Sequence, residues 1–414
     1  MEGARTRVDL PVVTLSAKRN SLHPWIYRRM VKKPRGRLAP GALVEVRSRD
    51  GAFLGRGIYN GRSDIAVRLL TESPEESLDG AFFVDRIARA RRLREETLAL
   101  GERTNAYRLV HGEADGLSGL VIDKFGDVFV MRLYSAGYVS LVDTLRDALI
   151  ELYPGARVTA RSDDATARRE GFDNAKLSKR FDPLGRVAIE EDGLAMEVDV
   201  DAGHKTGFFL DQRDNRREFA RLARGKGVCD CFCYTGGFGI AAARAGARPV
   251  TGVDLDEDAL VVARDNAKRN GVEVRFVHCD VFKHLRGMQS RDETVDALVL
   301  DPAKLAGVRA EVGRARRTYG DLNRLGMSVV ADGGLLLTCS CSGLISESEF
   351  LSILTRSASE AGVYLQIFKI AGAAGDHPYV SSFPEGRYLK AVFARVMRSG
   401  FPASSVREPK PSRR

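Results

Sequence analysis

No cysteine occurs before residue 229, and the six that follow, at 229, 231, 233, 279, 339 and 341, lie mostly inside apolar runs. That layout excludes a disulfide-stapled secreted domain and makes a reducing cytoplasm the expected compartment. No apolar stretch approaches the ~20 residues needed to cross a bilayer, so no membrane partner is expected. The opening residues Met1 to Arg7 also lack the apolar core of a signal peptide. No C-x-x-C pair is present, and His278 and His284 have no evident co-ligands, so no metal centre is expected. There is no internal repeat.

What the chain does have is length and positive charge. At 414 residues it exceeds a single core and should divide into two or three domains. Lys and Arg number 65 against 55 Asp and Glu, a net charge of +10, which favours a polyanionic partner.

Residues 1–75 alternate short strands and turns, as in a small β-barrel, with strands at Leu43–Arg47, Phe53–Tyr59 and Ile65–Leu69. Ahead of them, His23-Pro24-Trp25-Ile26-Tyr27-Arg28-Arg29 interleaves aromatics with cations. It reads equally as a base-stacking surface and as a barrel edge. Residues 76–186 read as an α+β unit with a basic segment containing Arg161, Arg168, Arg169, Lys176, Lys179 and Arg180. It opens with a helix whose apolar positions run from Phe83 through Ile87, Ala90 and Leu93 to Leu100. Residues 187–398 alternate strand and helix, the pattern of a parallel Rossmann-like sheet, and 399–414 form a basic tail expected to be disordered.

In the third unit, Cys233-Tyr234-Thr235-Gly236-Gly237-Phe238-Gly239 joins the first core strand to a helix. Glycines there let backbone N–H groups approach a ligand. Asp254 ends the next strand, where a carboxylate can accept ribose hydroxyls, and Asp280 ends the third, suited to an adenine amino group. Gly237-x-Gly239-x-x-Ala242 also fits a loose dinucleotide fingerprint, which keeps NAD in view. The acid after strand three and the motifs after strands four and five favour S-adenosyl-L-methionine.

Those last motifs are Asp301-Pro302-Ala303-Lys304 and, 40 positions after Asp301, Cys341 in Ser340-Cys341-Ser342-Gly343. Both follow apolar strands, so a nucleophilic thiol and a carboxyl can face one substrate at the carboxyl edge of the sheet. Cys229, Cys231 and Cys233 alternate along a strand and should share a packed face, with Cys339 also in the core.

Taken together the motifs resemble the ribosomal RNA large subunit methyltransferase I family. The resemblance runs in order through His23-Pro24-Trp25, His111-Gly112-Glu113-Ala114-Asp115-Gly116-Leu117, Gly203 to Arg216, Tyr234 to Phe238, Ser340 to Leu344, Asp376-His377-Pro378 and Pro384-Glu385-Gly386. It implies an N-terminal PUA domain, a central α+β domain and a class I methyltransferase domain forming 5-methylcytosine in 23S ribosomal RNA or a large-subunit precursor. Carried over residue by residue, it implies that Phe209, Gln212, Arg213, Asp230, Tyr234, Thr235, Gly236, Gly237, Phe238, Asp254, Asp280, Val281 and Phe282 bind the cofactor. His204 and Lys205 would line its entrance, and His377 would be structural or touch RNA. The motifs are compatible with a homodimer.

Cytosine C5 is a poor nucleophile until a thiolate adds to C6. Cys341 is the expected attacking group, with Asp301 offsetting charge on the ring and Lys304 steering a phosphate or keeping the thiol ionised. The base that takes the C5 proton is unassigned between water and Asp301. The family usually has Asp-Pro-Pro-Lys, and Ala303 restores an N–H and loosens the loop. Three rivals remain: methylation of a nitrogen, which needs no adduct; uracil C5 methylation by the same thiolate logic; and a catalytically silent RNA-binding assembly factor.

Overall fold

The computed structural model describes residues 9–34, 36–201 and 207–398. His204, Lys205 and the 399–414 tail lie outside them. The N-terminal unit is a five-stranded barrel of Val12–Thr14, Trp25–Tyr27, Ala42–Arg47, Phe53–Tyr59 and Ile65–Thr71. Alternating Val44, Val46 and Val67 close on Val13, Leu15 and Ile26 as its core.

The central unit is a four-stranded sheet of Ala106–His111, Leu120–Phe125, Val128–Leu133 and Arg157–Arg161, with the last pair parallel. On one face, Phe83 and Ile87 of helix Gly80–Arg92 and Leu145 and Leu149 of helix Val142–Leu152 cover Leu109, Ile122 and Met131. The predicted helix to Leu100 stops being α-helical at Arg92. Leu98 N–H then bonds Leu93 O, a wider i→i+5 turn that carries the fully buried Arg94 inward to Asp115. The other face, Ala106, Phe125, Val128 and Val130, meets the hairpin Arg186–Glu191/Leu194–Asp199 and Ile240 and Ala241 beyond it.

That hairpin corrects the expected parallel pattern from Val187 onward. Glu191 pairs with Leu194 across Asp192-Gly193, both at positive φ, which is a two-residue turn signal the periodicity reading overlooked. The large sheet starts later: β1 Val228–Cys231, β2 Val250–Asp254, β3 Arg275–His278, β4 Val295–Leu300, β5 Val330–Ser340, β6 Tyr364–Ala371 and β7 Lys390–Met397. Its order is β3-β2-β1-β4-β5-β7-β6; β7 is antiparallel to both neighbours, and the strands from β3 to β5 are parallel. Helices α1 Arg213–Leu222 and α2 Gly237–Arg244 pack one face through Phe219, Phe238 and Ala242. Helices α4 Val281–Ser290, α5 Val312–Ser328 and α6 Glu347–Glu360 pack the other, and α3 Glu257–Arg269 follows β2. The strand order reverses between β1 and β4, which opens a crevice at their carboxyl ends. The doubly wound α/β class is as the sequence implied.

β1 ends two residues earlier than expected because Phe232 turns to φ 63. Cys229 and Cys231 share a face, their sulfurs 3.7 Å apart, whereas Cys233 lies beyond the strand.

Candidate active site

Three elements converge on the crevice. After β1, Phe232, Tyr234 and Gly236 adopt positive φ at alternate positions, 63, 49 and 85. Only Gly236 does so without a steric cost, and a Cβ there would come within 2.8 Å of Ile240. The turn is locked to β2: Tyr234 N–H donates to Asp254 Oδ2 at 2.8 Å and Asp256 N–H to Oδ1 at 2.9 Å. An ionised carboxylate offers about four acceptor sites, so two backbone bonds fix Asp254 and leave capacity for a diol. Phe209 stands edge-on to Tyr234 at 5.3 Å, and Tyr234 Oη donates to Gly207 O at 3.2 Å, which forms a wall across the turn.

Other expected cofactor residues serve the frame. Asp230 is buried within β1, with Oδ2 accepting Gly239 N–H at 2.8 Å and Oδ1 unpaired; burial pushes its carboxyl well up. Phe238 and Val281 are core residues, Thr235 is buried with its carbonyl on Asn266, and Phe282 is half-buried. Gly237 lies against Arg216, where a Cβ would meet Cδ at 3.0 Å. Asp280 caps α4 by accepting Lys283 N–H at 2.9 Å. Gln212 accepts from Asn215 at 2.7 Å. Arg213 departs furthest from its expected role: its two terminal nitrogens are spent on Asp376, at 2.7 and 3.1 Å.

Cys341 follows β5 and Asp301 follows β4, both half-buried. The two loops are tied through Ser342, whose Oγ accepts N–H from Leu305 at 3.2 Å and Ala306 at 3.1 Å and lies 3.2 Å from Tyr319 Oη. Burial pushes Tyr319 up to about 12, with the charges of Cys341 and Asp301 adding to it, so the thiol and the carboxyl lie in one field. Lys304 is exposed. The cation built into the site is Lys390 on β7, which is 4% exposed. Its Nζ donates to the carbonyls of Ser342, Ile345 and Tyr388 at 2.7, 2.8 and 2.8 Å. Burial lowers it to about 8, against the opposing pull of Cys341. The three carbonyls take three N–H donors, which only the ammonium carries.

The sequence reading missed Lys390, although a lysine inside Leu389-Lys390-Ala391-Val392-Phe393 is a visible anomaly. It also missed Tyr388, whose hydroxyl donates to Asp211 at 2.6 Å while His111 stacks on its ring at 6.3 Å. His377 is buried beside Asp376, a structural position. Asp376 joins the domains: it accepts Arg213 and Arg108 N–H, and its carbonyl accepts Arg94 at 2.8 Å. Trp25 donates to Glu113 at 2.8 Å and packs on Phe383 at 4.8 Å. Trp25 is thus engaged by partners from both later domains.

Comparison with known proteins agrees with this layout. Residues 16–72 match the PUA-like domain family, and residues 108–379 match the S-adenosylmethionine-dependent methyltransferase family. Proteins named ribosomal RNA large subunit methyltransferase I are similar over nearly the whole chain. That of Aeromonas hydrophila is 41% identical, covering 90% of this chain and 95% of the relative. That of Shewanella amazonensis is 42% identical over the same shares. In fold, a candidate methyltransferase solved in complex with SAH superposes with a TM-score of 0.79 at 22% identity, covering 93% of this chain and 99% of the other. A candidate SAM-dependent methyltransferase from Streptococcus mutans gives 0.77 at 20%, covering 94% and 100%.

Proposed function

The chain belongs to the ribosomal RNA large subunit methyltransferase I family of S-adenosylmethionine-dependent methyltransferases, and from that membership we propose that it forms 5-methylcytosine in 23S ribosomal RNA through a bond from Cys341 to C6. The observation that carries this reading is the pairing of Cys341 and Asp301 at adjacent strand ends, tied by Ser342 and underlain by the Lys390 ammonium. Nitrogen methylation has no use for such a thiol.

The residues present fit S-adenosylmethionine. Asp254, held by two backbone N–H groups, would accept the ribose hydroxyls. The Tyr234–Gly236 turn leaves backbone free to approach, and Phe209 and Tyr234 supply apolar wall. When bound, the cofactor supplies an electrophilic methyl group.

The chain's own groups do the rest. Cys341 as thiolate adds to C6 and moves an electron pair toward N3, where Asp301 delivers a proton; C5 then has enamine character. Once C5 carries the methyl group, its hydrogen leaves as a proton to water or to the Asp301 carboxylate. The C6–S bond breaks, Cys341 departs as thiolate, and N3 gives up its proton, to the Asp301 carboxylate where water took the C5 proton and to water where Asp301 took it. The Lys390 ammonium favours the thiolate at both ends of the cycle.

The barrel and the basic central segment are the surfaces assigned to the RNA, in a cytoplasmic setting. Assembly as a homodimer is compatible with this arrangement. Among the described residues no helix is long and apolar enough to cross a membrane.

The test is methyl transfer from labelled S-adenosylmethionine to ribosomal RNA by wild type and Cys341→Ala, with nucleoside analysis. Labelled 5-methylcytidine that vanishes in the variant is expected. A nitrogen-methylated base, 5-methyluridine, or activity that survives the substitution would remove this mechanism.

A further inference from the structure

Arg132 and Arg161 stand opposite one another at the carboxyl ends of the two parallel strands of the central sheet. Arg161 is anchored through one nitrogen, Nη1, which donates to Asp201 O at 3.0 Å. Its Nε and Nη2, the side-by-side donors of the guanidinium, are buried with no hydrogen-bond partner. Elsewhere in the protein a carboxylate closes this same edge. Arg103 closes on Asp192 at 2.9 and 3.1 Å, Arg108 on Asp123 at 2.5 and 3.1 Å, and Arg216 on Glu191 at 2.7 Å twice. Among the described residues, Arg161 is the one arginine with both donors of that edge buried and unpaired. Buried donors left unpaired are unfavourable, and a ligand with two oxygens would satisfy both.

The surroundings say which way the edge is biased. Burial first, then Arg132, lowers the proton affinity of Arg161, while Asp201, Tyr234 and Asp123 act the other way. Asp123 is engaged by Arg108, and Asp201 Oδ2 accepts Gly185 N–H. Tyr234 belongs to the turn after β1, so Arg161 lies where the central sheet meets the cofactor loop. From Arg132 a hydrogen-bonded chain leads outward: Asp163 Oδ2 at 3.4 Å, Thr166 Oγ1 at 2.9 Å and then Arg169 at 3.1 Å, with Arg168 and Arg169 exposed. Arg132, Arg168 and Arg169 therefore lead from the fork to the surface, with the Asp163 carboxylate set between them.

We propose that the Nε/Nη2 edge of Arg161 receives a two-oxygen anion at this junction, supplied either by an RNA phosphodiester or by the methionine carboxylate of the cofactor. Both present paired oxygens that match a guanidinium edge. The outward arginine track favours the phosphodiester. The assignment rests on the reading of the chain as an S-adenosylmethionine-dependent RNA methyltransferase, but it does not depend on which atom of the base is methylated.

The experiment measures two affinities on the full-length chain for wild type, Arg161→Met and Arg161→Lys. One is for protein-free 23S ribosomal RNA across a salt series, and the other is for S-adenosylhomocysteine by calorimetry. With phosphate as the ligand, Arg161→Met weakens RNA binding at least fivefold. The slope of log affinity against log salt falls by about one, and S-adenosylhomocysteine affinity is unchanged. With carboxylate as the ligand, the loss is in the calorimetric arm alone. Either loss supports the site and names its source. Arg161→Lys keeps charge without the fork, so it restores the salt slope and not the full affinity. Both affinities within twofold of wild type, in a protein that melts normally, would overturn the proposal. If the Met variant melts early, Arg161→Lys decides by the affinity thresholds alone. A wild type that binds no RNA would count against the RNA reading itself, and the calorimetric arm would still judge Arg161.

Discussion

The Ser342 hydroxyl accepts the backbone N–H of Ala306 at 3.1 Å, so the loop carrying Asp301 is fastened to the residue that follows Cys341. Ala303, exposed in that loop, therefore loosens less than its backbone freedom suggests, because the restraint comes from a hydroxyl on the neighbouring strand end.

Ser342→Ala should misalign the pair without emptying the cofactor site. Two backbone donors lose their acceptor, costing ~1–3 kcal/mol of stability. We expect methyl transfer to fall at least tenfold with S-adenosylhomocysteine affinity held within twofold. Parallel calorimetry and turnover assays check this, and unchanged turnover would show that the tether is dispensable.

Lys390 should impose an upper pH limit. Its ammonium is present below about 8 and lost above it, so activity should decline through that range as the thiolate loses its counter-charge. In Lys390→Arg, which stays charged, the decline should disappear. Lys390→Met should slow alkylation of Cys341 at pH 7, read by peptide mass mapping against Cys279. Identical profiles in wild type and Lys390→Arg would assign the decline to another group.

Asp254→Ala removes the acceptor for two backbone N–H groups as well as the proposed ribose contact. Cofactor affinity should drop at least tenfold while RNA binding is retained. Calorimetry and filter binding separate the two, and full cofactor affinity would disprove the assignment.

Asp376 ties stability to acid. Burial alone would raise its pKa, but His377 and Arg213 hold it well below the usual carboxylate range. A carboxyl depressed on folding contributes stability above its unfolded pKa of ~3.9, and that contribution is lost as pH falls. Wild type should destabilise on acidification below about pH 4 more steeply than Asp376→Asn. At neutral pH the variant should lose ~3–5 kcal/mol, since Arg213 stays buried without its partner. Denaturant melts across pH test both, and parallel slopes would refute the linkage.

How much was legible in the sequence varies with the physics of each element. The doubly wound class was readable because buried parallel strands are continuous apolar runs and the turn after β1 needs glycine. That Cys341 and Asp301 stand at neighbouring strand ends was readable because both follow apolar strands of such a sheet. The hairpin at 186–199 carried its signal in Asp192-Gly193, but alternation alone does not say whether its strands join the large sheet. The pairing of Arg213 with Asp376 was not readable because the two are distant in sequence. Lys390 stands out as a lysine in an apolar run, but two of the carbonyls that hold it come from the distant loop after β5, which leaves no local pattern.

The stretch from Phe383 to Lys390 touches the barrel at one end, through Trp25, and the nucleophile loop at the other. A segment this short, pinned at both ends, works as a gauge block. It sets the span between the first domain and the Cys341 thiol when the chain folds, so a shift of the barrel is passed on to the crevice as a change in that one length.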